Sequence, residues 1–142
     1  MIELVSRSLN GGEIEMTNKV DELVRRNTEL IESAKSLRGV LVRFERVLAN
    51  MSRLVEGGVP VVEALDRLGG PHLRPQTTEA LDRFTDARHN ARVAMFALGV
   101  DQGASLSDMA RAFDISRQLA SRLAAEDGPG TARRRRAPSR SR

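Results

Sequence analysis

The side chains best suited to chemistry lie in SLSDMARAFDISRQLASRLAAE, residues 105–126. There Ser116, Arg117, Gln118, Ser121 and Arg122 crowd hydrogen-bonding groups into two turns of an expected helix. Such a cluster is either a DNA-reading element or the ordinary wet face of an amphipathic helix, since surface helices are routinely rich in Arg and Gln. A second cluster is the run Arg133, Arg134, Arg135 and Arg136 inside DGPGTARRRRAPSRSR, residues 127–142. Its Gly/Pro/Ser/Arg composition predicts a disordered, solvated tail. Such a tail neutralises phosphates without sequence choice, whether on DNA or RNA, or serves only solubility.

Other chemistries find no support. His72 and His89 are the only histidines, and Asp82, Asp86 and His89 have a helical spacing that could gather a metal. Acid–histidine groupings of this kind belong more often to solvated helix faces, so no metal and no cofactor are assigned. The chain has no phosphate-cradling glycine loop, no nucleophile elbow and no paired acids in an apolar setting, and no enzymatic function is expected.

Composition narrows the class. At 142 residues the chain has the size of one domain, or of a small domain plus an extended element. Aromatic content of 3%, without Trp or Tyr, excludes an aromatic stacking platform and leaves folding to aliphatic helix packing. The absence of cysteine excludes disulfides and thiolate metal sites, and fits a reducing compartment. There is no signal-peptide pattern and no bilayer-spanning run, so a cytoplasmic, nucleoid-associated location and no membrane partner are expected. The net charge of +4 looks like a nucleic-acid signature until it is divided along the chain. Residues 1–58 carry nine basic and nine acidic groups, residues 59–127 carry eight and ten, and residues 128–142 carry six arginines and no acid. All the net positive charge lies in the tail.

The elements that must position these groups begin with a heptad pattern. Met16, Leu23, Leu30, Leu37, Phe44 and Met51 fall at position d, and Val20, Asn27, Ala34, Leu41, Leu48 and Val55 at position a. Six uninterrupted heptads without proline predict a coiled-coil helix over 16–56, a rod of roughly 60 Å. Its dimerisation seam is Val20, Leu23, Asn27, Leu30, Leu37, Leu41, Phe44, Leu48 and Met51. A lone Asn at an a position favours a parallel dimer. Val24 and Ile31 at e, with Val40, Val47 and Leu54 at g, widen the apolar stripe beyond what two strands need. Either more helices assemble, or a later helix of the same chain packs back on the rod; a plain core helix of a bundle is the remaining alternative.

Residues 1–15 are expected to be poorly structured, with a weak strand-turn-strand around Asn10-Gly11-Gly12. The codons of Gly-Gly-Glu can also contain a bacterial ribosome-binding sequence, which gives the expectation that translation begins at Met16. Different glycine codons in the coding DNA would remove it. Downstream, Gly57-Gly58 stop the rod, and 57–76 form a short helix and linker. Pro60 is placed in the first turn of VPVVEALDRL, Gly69-Gly70-Pro71 ends it, and PHLRPQ is a loop. Thr77 or Thr78 then caps a helix whose face Leu81, Phe84, Ala87, Ala91, Met95 and Leu98 runs to Gly99.

Within 105–126, Ser105 is placed as a cap for the Asp108 amide, and Leu106, Met109, Ala110 and Phe113 mark a buried face. Ser116 caps a second helix whose inward positions are Leu119, Ala120 and Leu123. The small Ala110, the turn Asp114-Ile115-Ser116 and the following Arg117-Gln118 and Ser121-Arg122-Leu123 resemble the bacterial helix-turn-helix pattern. It is similar to the three-helix version in sigma-factor promoter-reading domains and small regulators. The resemblance covers about residues 88–126, and Asp114 departs from it, standing where the family prefers Gly. No β-hairpin pattern follows residue 126, which argues against a winged variant.

The resemblance implies that Ser116, Arg117, Gln118, Ser121 and Arg122 face the major groove or its phosphates. The chemistry agrees: Arg can donate two bonds to guanine, Gln can pair with adenine, and Ser can bond a phosphate. The expected protein is all-α: a coiled-coil helix over 16–56, a linking helix, a helix-turn-helix domain over 77–126 and the tail. Its expected function is a homodimeric transcription regulator binding double-stranded DNA. One alternative is an oligomeric scaffold or adaptor with a protein partner on the coiled coil; another is a nucleoid-type protein that binds DNA without sequence preference.

Overall fold

Asn10 starts the first helix. Its side-chain oxygen accepts from the Glu13 amide at 2.9 Å, and its own amide donates to the Glu13 carboxylate at 3.2 Å. Two donors that a helix start leaves unpaired are thereby satisfied. The computed structural model describes residues 10–126 as five helices: α1 (Gly11–Glu56), α2 (Val61–Arg67), α3 (Gly70–Asp101), α4 (Leu106–Ala112) and α5 (Arg117–Ala125). Among the described residues there is no strand, and the all-α class holds. The strand-turn-strand expected around Asn10 is thus corrected: Gly11 and Gly12 are helical, and α1 begins five residues ahead of Met16. Residues 1–9 and the arginine tail, 127–142, lie outside the described residues.

Two compact units divide the chain, one of residues 26–89 and one whose described parts are residues 10–25 and 90–126. In the first unit, α1 ends at a left-handed Gly58, φ +88°. The Val59 amide reaches back to the Leu54 carbonyl and the Gly58 amide to that of Val55, which closes the helix with paired groups. Pro60 precedes α2 as its N-cap, one position before the expected first turn, and Gly69, φ +67°, ends that helix.

The loop expected at PHLRPQ is helical instead. α3 starts at Gly70 and carries Pro75 inside it, and Thr77, expected as a cap, sits mid-helix with its hydroxyl donating to the Leu73 carbonyl at 2.9 Å. Pro75 removes one backbone bond, a cost of about 3 kcal/mol in a helix interior. The carbonyl left without that partner belongs to Pro71 in the solvent-exposed first turn, where it is open to water. Leu73 and Thr77 meanwhile line a cavity with Phe44, Val47 and Met51 of α1 and Leu65 and Leu68 of α2, and that packing holds the segment helical.

In α1 the covered positions of this unit are Leu30, Leu37, Phe44 and Met51 together with Val40, Val47 and Leu54, a three–four alternation of rows d and g. In α3 they are Leu73, Thr77, Ala80, Phe84 and Ala87, again three–four. Leu81, expected inside, is 45% exposed, because the buried row runs through its neighbour Ala80.

In the second unit the α3 row continues through Ala91, Ala94 and Leu98. Lys19 of α1 pairs with Asp101 at 2.5 Å. The expected stop at Gly99 is corrected: α3 runs to Asp101, and left-handed Gly103, φ +96°, ends it with the Ala104 amide bonded to the Gly99 carbonyl. Gly99 leaves room for α4, since a Cβ there would stand 2.6 Å from the Met109 sulfur and that flexible side chain would have to move. One turn before Gly99, Phe96 is fully buried against Ala110, Ala120 and Leu123, ringed by Val93, Met109, Phe113, Ile115 and Leu119. Phe96→Ala is expected to cost about 3–5 kcal/mol in denaturant unfolding. Hydrogen exchange should show α4 and α5 losing protection first; unchanged protection there would contradict Phe96 as their anchor.

Candidate nucleic-acid interface

The expected reading residues sit on two short helices whose ends are all closed by local bonds. Ser105 caps α4: its hydroxyl oxygen accepts from the Asp108 amide at 3.1 Å, while its hydroxyl and its amide donate to the Asp108 carboxylate at 2.7 and 3.3 Å. Those donors, the hydroxyl foremost, lower the Asp108 pKa below its ordinary value, with a smaller pull from Arg111. At the far end of α4 the Ile115 amide bonds the Ala110 carbonyl and the Asp114 amide that of Arg111. This is the closure seen at Gly58 and Gly103, built here on Asp114 at φ +51°. Asp114 is the one non-glycine residue with positive φ among those described, in the conformation that the turn required of it.

Ser116 then caps α5, accepting from the Leu119 amide at 3.1 Å. Ala120 and Leu123 are buried and Leu119 half-buried, while Ser116, Arg117, Gln118, Ser121 and Arg122 are all exposed. The five expected site residues therefore share the solvent side of one capped helix. Ala110 and Ala120, both buried in one cluster, keep the contact between α4 and α5 free of bulk. Arg133 to Arg136 fall in the tail outside the described residues.

Two features of this unit were not legible beforehand. The Arg92 guanidinium lies 5.9 Å from the centroid of the Phe113 ring, itself 5.1 Å from Phe96. Arg111 pairs with Asp108 at 3.4 Å on an open surface, and that pairing ties up a cation adjacent to the turn. Only the Asp108–Arg111 spacing could have signalled the pair, and nothing in the sequence signals the ring contact.

The expected dimerisation seam divides. Leu23, Leu30, Leu37, Phe44 and Met51 are half-covered within the chain, Asn27 is half-covered, and Val20, Leu41 and Leu48 are exposed. The cavity of about 340 Å³ beside Phe44 has an almost wholly apolar lining, relieved only at Arg74, Thr77 and Thr78. Among the described residues no three His, Asp or Glu side chains gather as a metal site, and no helix is long and apolar enough to cross a membrane. Comparison of the chain with protein-family models, curated proteins and solved structures gives no match.

Because the folded state lowers the Asp108 pKa, its contribution to stability is full above the ordinary carboxylate value. It is lost as pH falls through the depressed one. Melting temperature followed into acid should therefore fall less steeply for Ser105→Ala than for the parent; parallel acid limbs would refute the cap. A second substitution probes the turn. Asp114→Gly should raise unfolding free energy by about 0.5–1 kcal/mol, since glycine enters the left-handed region without a Cβ clash, and a loss on denaturant titration would show the carboxylate to be needed.

Proposed function

We propose that the chain is a sequence-specific DNA-binding regulator whose α5 reads the major groove, presented twice by a dimer. One observation carries this reading: a left-handed turn at Asp114 followed by a capped helix that exposes Ser116, Arg117, Gln118, Ser121 and Arg122 while burying Ala120 and Leu123. A reading helix needs its base-facing donors on a rigid element, because each loose side chain ordered on binding costs free energy. The Ser116 cap and the Phe96 cluster provide that rigidity. Arg117 and Arg122 have the geometry for guanine O6 and N7 or a phosphate, Gln118 for adenine N6 and N7, and Ser116 and Ser121 for phosphate oxygens. One such helix binds weakly, and two linked copies raise the affinity and predict a repeated or palindromic site.

A second reading, an oligomeric adaptor, draws on the exposed apolar residues Ile31, Leu41 and Leu48 of α1, which a partner helix would cover. The double variant Arg117→Ala, Gln118→Ala separates the two. On a site selected from random duplexes, each lost bidentate contact should weaken binding by about 1–3 kcal/mol, roughly 5- to 150-fold. Oligomer size should not change. Failure to select any sequence, or equal binding by parent and variant, would leave the adaptor.

A further inference from the structure

α1 carries a second apolar row that the chain's own helices leave open. In the unit of residues 26–89 it starts at the half-covered Asn27 and runs through the exposed Ile31, Ala34, Arg38, Leu41, Glu45, Leu48 and Ser52, in alternating steps of four and three residues. Ile31 is 54% exposed, Leu41 40% and Leu48 49%, although this is a coiled-coil spacing that ordinarily marks a covered seam. The row on the neighbouring face, Leu30, Leu37, Phe44 and Met51 with Val40 and Val47, is the one covered within the chain. One helix thus bears two seams, and only one is filled.

The charges inside the open row say what fits it. Arg38 and Glu45 are exposed, and among the described residues neither makes an ion pair. A second α1 laid parallel would set Arg38 against Arg38 and Glu45 against Glu45, two like-charge layers inside the seam. Asn27 alone favours that arrangement, but it satisfies one layer and leaves two in repulsion. Reversing the second helix separates the two Glu45 side chains by eleven residues and replaces the face-to-face Arg38 layer with two Arg38 side chains offset by three residues, each offered a Glu45 of the other copy. With Ile31 opposite Leu48 of the second copy, Arg38 lies beside its Leu41 and within one turn of its Glu45. The two-fold symmetry forms this pair twice. Asn27 then faces Ser52, so its amide meets a hydroxyl and the polar layer remains hydrogen-bonded.

We propose that this open row of α1 docks a second copy of the chain antiparallel, in the register that sets Ile31 opposite Leu48 and Asn27 opposite Ser52. The proposal holds whether or not α5 reads DNA, and it replaces the parallel pairing that Asn27 suggests by itself.

The full chain tests it, and having no cysteine it accepts introduced ones as unique probes. Sedimentation equilibrium should show a dimer. Glu45→Arg should weaken it at least about tenfold, and adding Arg38→Glu should restore it. Both sites are exposed, so circular dichroism should show unchanged helix. Asn27→Cys mixed with Ser52→Cys should oxidise to a dimer joining the two variants, while Asn27→Cys alone should not self-link. A monomer at every concentration, an unaffected Glu45→Arg dimer, or self-linked Asn27→Cys each overturns the proposal. The first leaves the row to a different protein, and the last makes the pairing parallel.

Discussion

The C-terminal helices depend on the burial of one ring. α4 and α5 have seven and nine residues, lengths at which an isolated helix does not hold together in water. Each is closed at its start by a serine cap, yet caps contribute only about 1 kcal/mol apiece. What remains is tertiary contact, and it converges on Phe96, the largest fully buried side chain among the described residues. Phe113 packs its ring on Phe96, Arg92 covers the Phe113 ring from outside, and Ala110, Ala120 and Leu123 fill the remaining sides. The small residues matter as much as the large one. Gly99 leaves room for the Met109 thioether, and the two alanines let short helices reach a ring that bulkier side chains would hold them away from.

α1 poses a different constraint, since a helix with one wide apolar stripe must divide it. Rows d and g are covered within the chain, and rows a and e, apart from the half-covered Asn27, are left toward solvent. In the unit of residues 26–89, α3 contributes Ala80 and Ala87 between Leu73, Thr77 and Phe84, a row of alternating small and large groups. Ile31, Leu41 and Leu48 stay exposed on the face of α1 away from that covered row.

Much of this was legible because local bonds dominate it. The caps at Ser105 and Ser116, the left-handed Asp114 and the inward set Ala110, Leu119, Ala120 and Leu123 are fixed within four or five residues of themselves. The five helices and the width of the α1 stripe were equally open to reading, since periodicity survives any tertiary arrangement. The failures share the opposite cause. PHLRPQ reads as a loop because two prolines and a histidine have poor helix propensity; contacts with α1 and α2 overrule it. Gly99 reads as a stop because nothing local reveals Met109 behind it. Asn10-Gly11-Gly12 reads as a turn because the reciprocal bond with Glu13 competes on equal terms with the hairpin signal. The heptad periodicity falls within the one long helix α1, but which of its rows faces inward is not written in the period itself.

Charge is where local and global accounts diverge most, and the local one governs α5. The folded part of the chain has no net positive charge, which at first weighs against a nucleic-acid partner. Exposed charges, however, act over a screening length of about 8 Å in physiological salt, so their arrangement near α5 matters more than the sum. Asp108 is engaged by Ser105 and Arg111, and Asp114 lies in the turn before the Ser116 cap. From Ile115 to Ala125 the chain has two arginines and no acid. Glu126, at the C-cap of α5, is separated from Arg117 by the length of the helix. Other acidic groups are held in helical pairs such as Glu63–Arg67 and Glu79–Arg83 that neutralise themselves. A neutral domain can therefore keep a cationic face on α5, and under the proposed DNA-binding function discrimination would come from the directed donors of Arg117 and Gln118 rather than from bulk attraction.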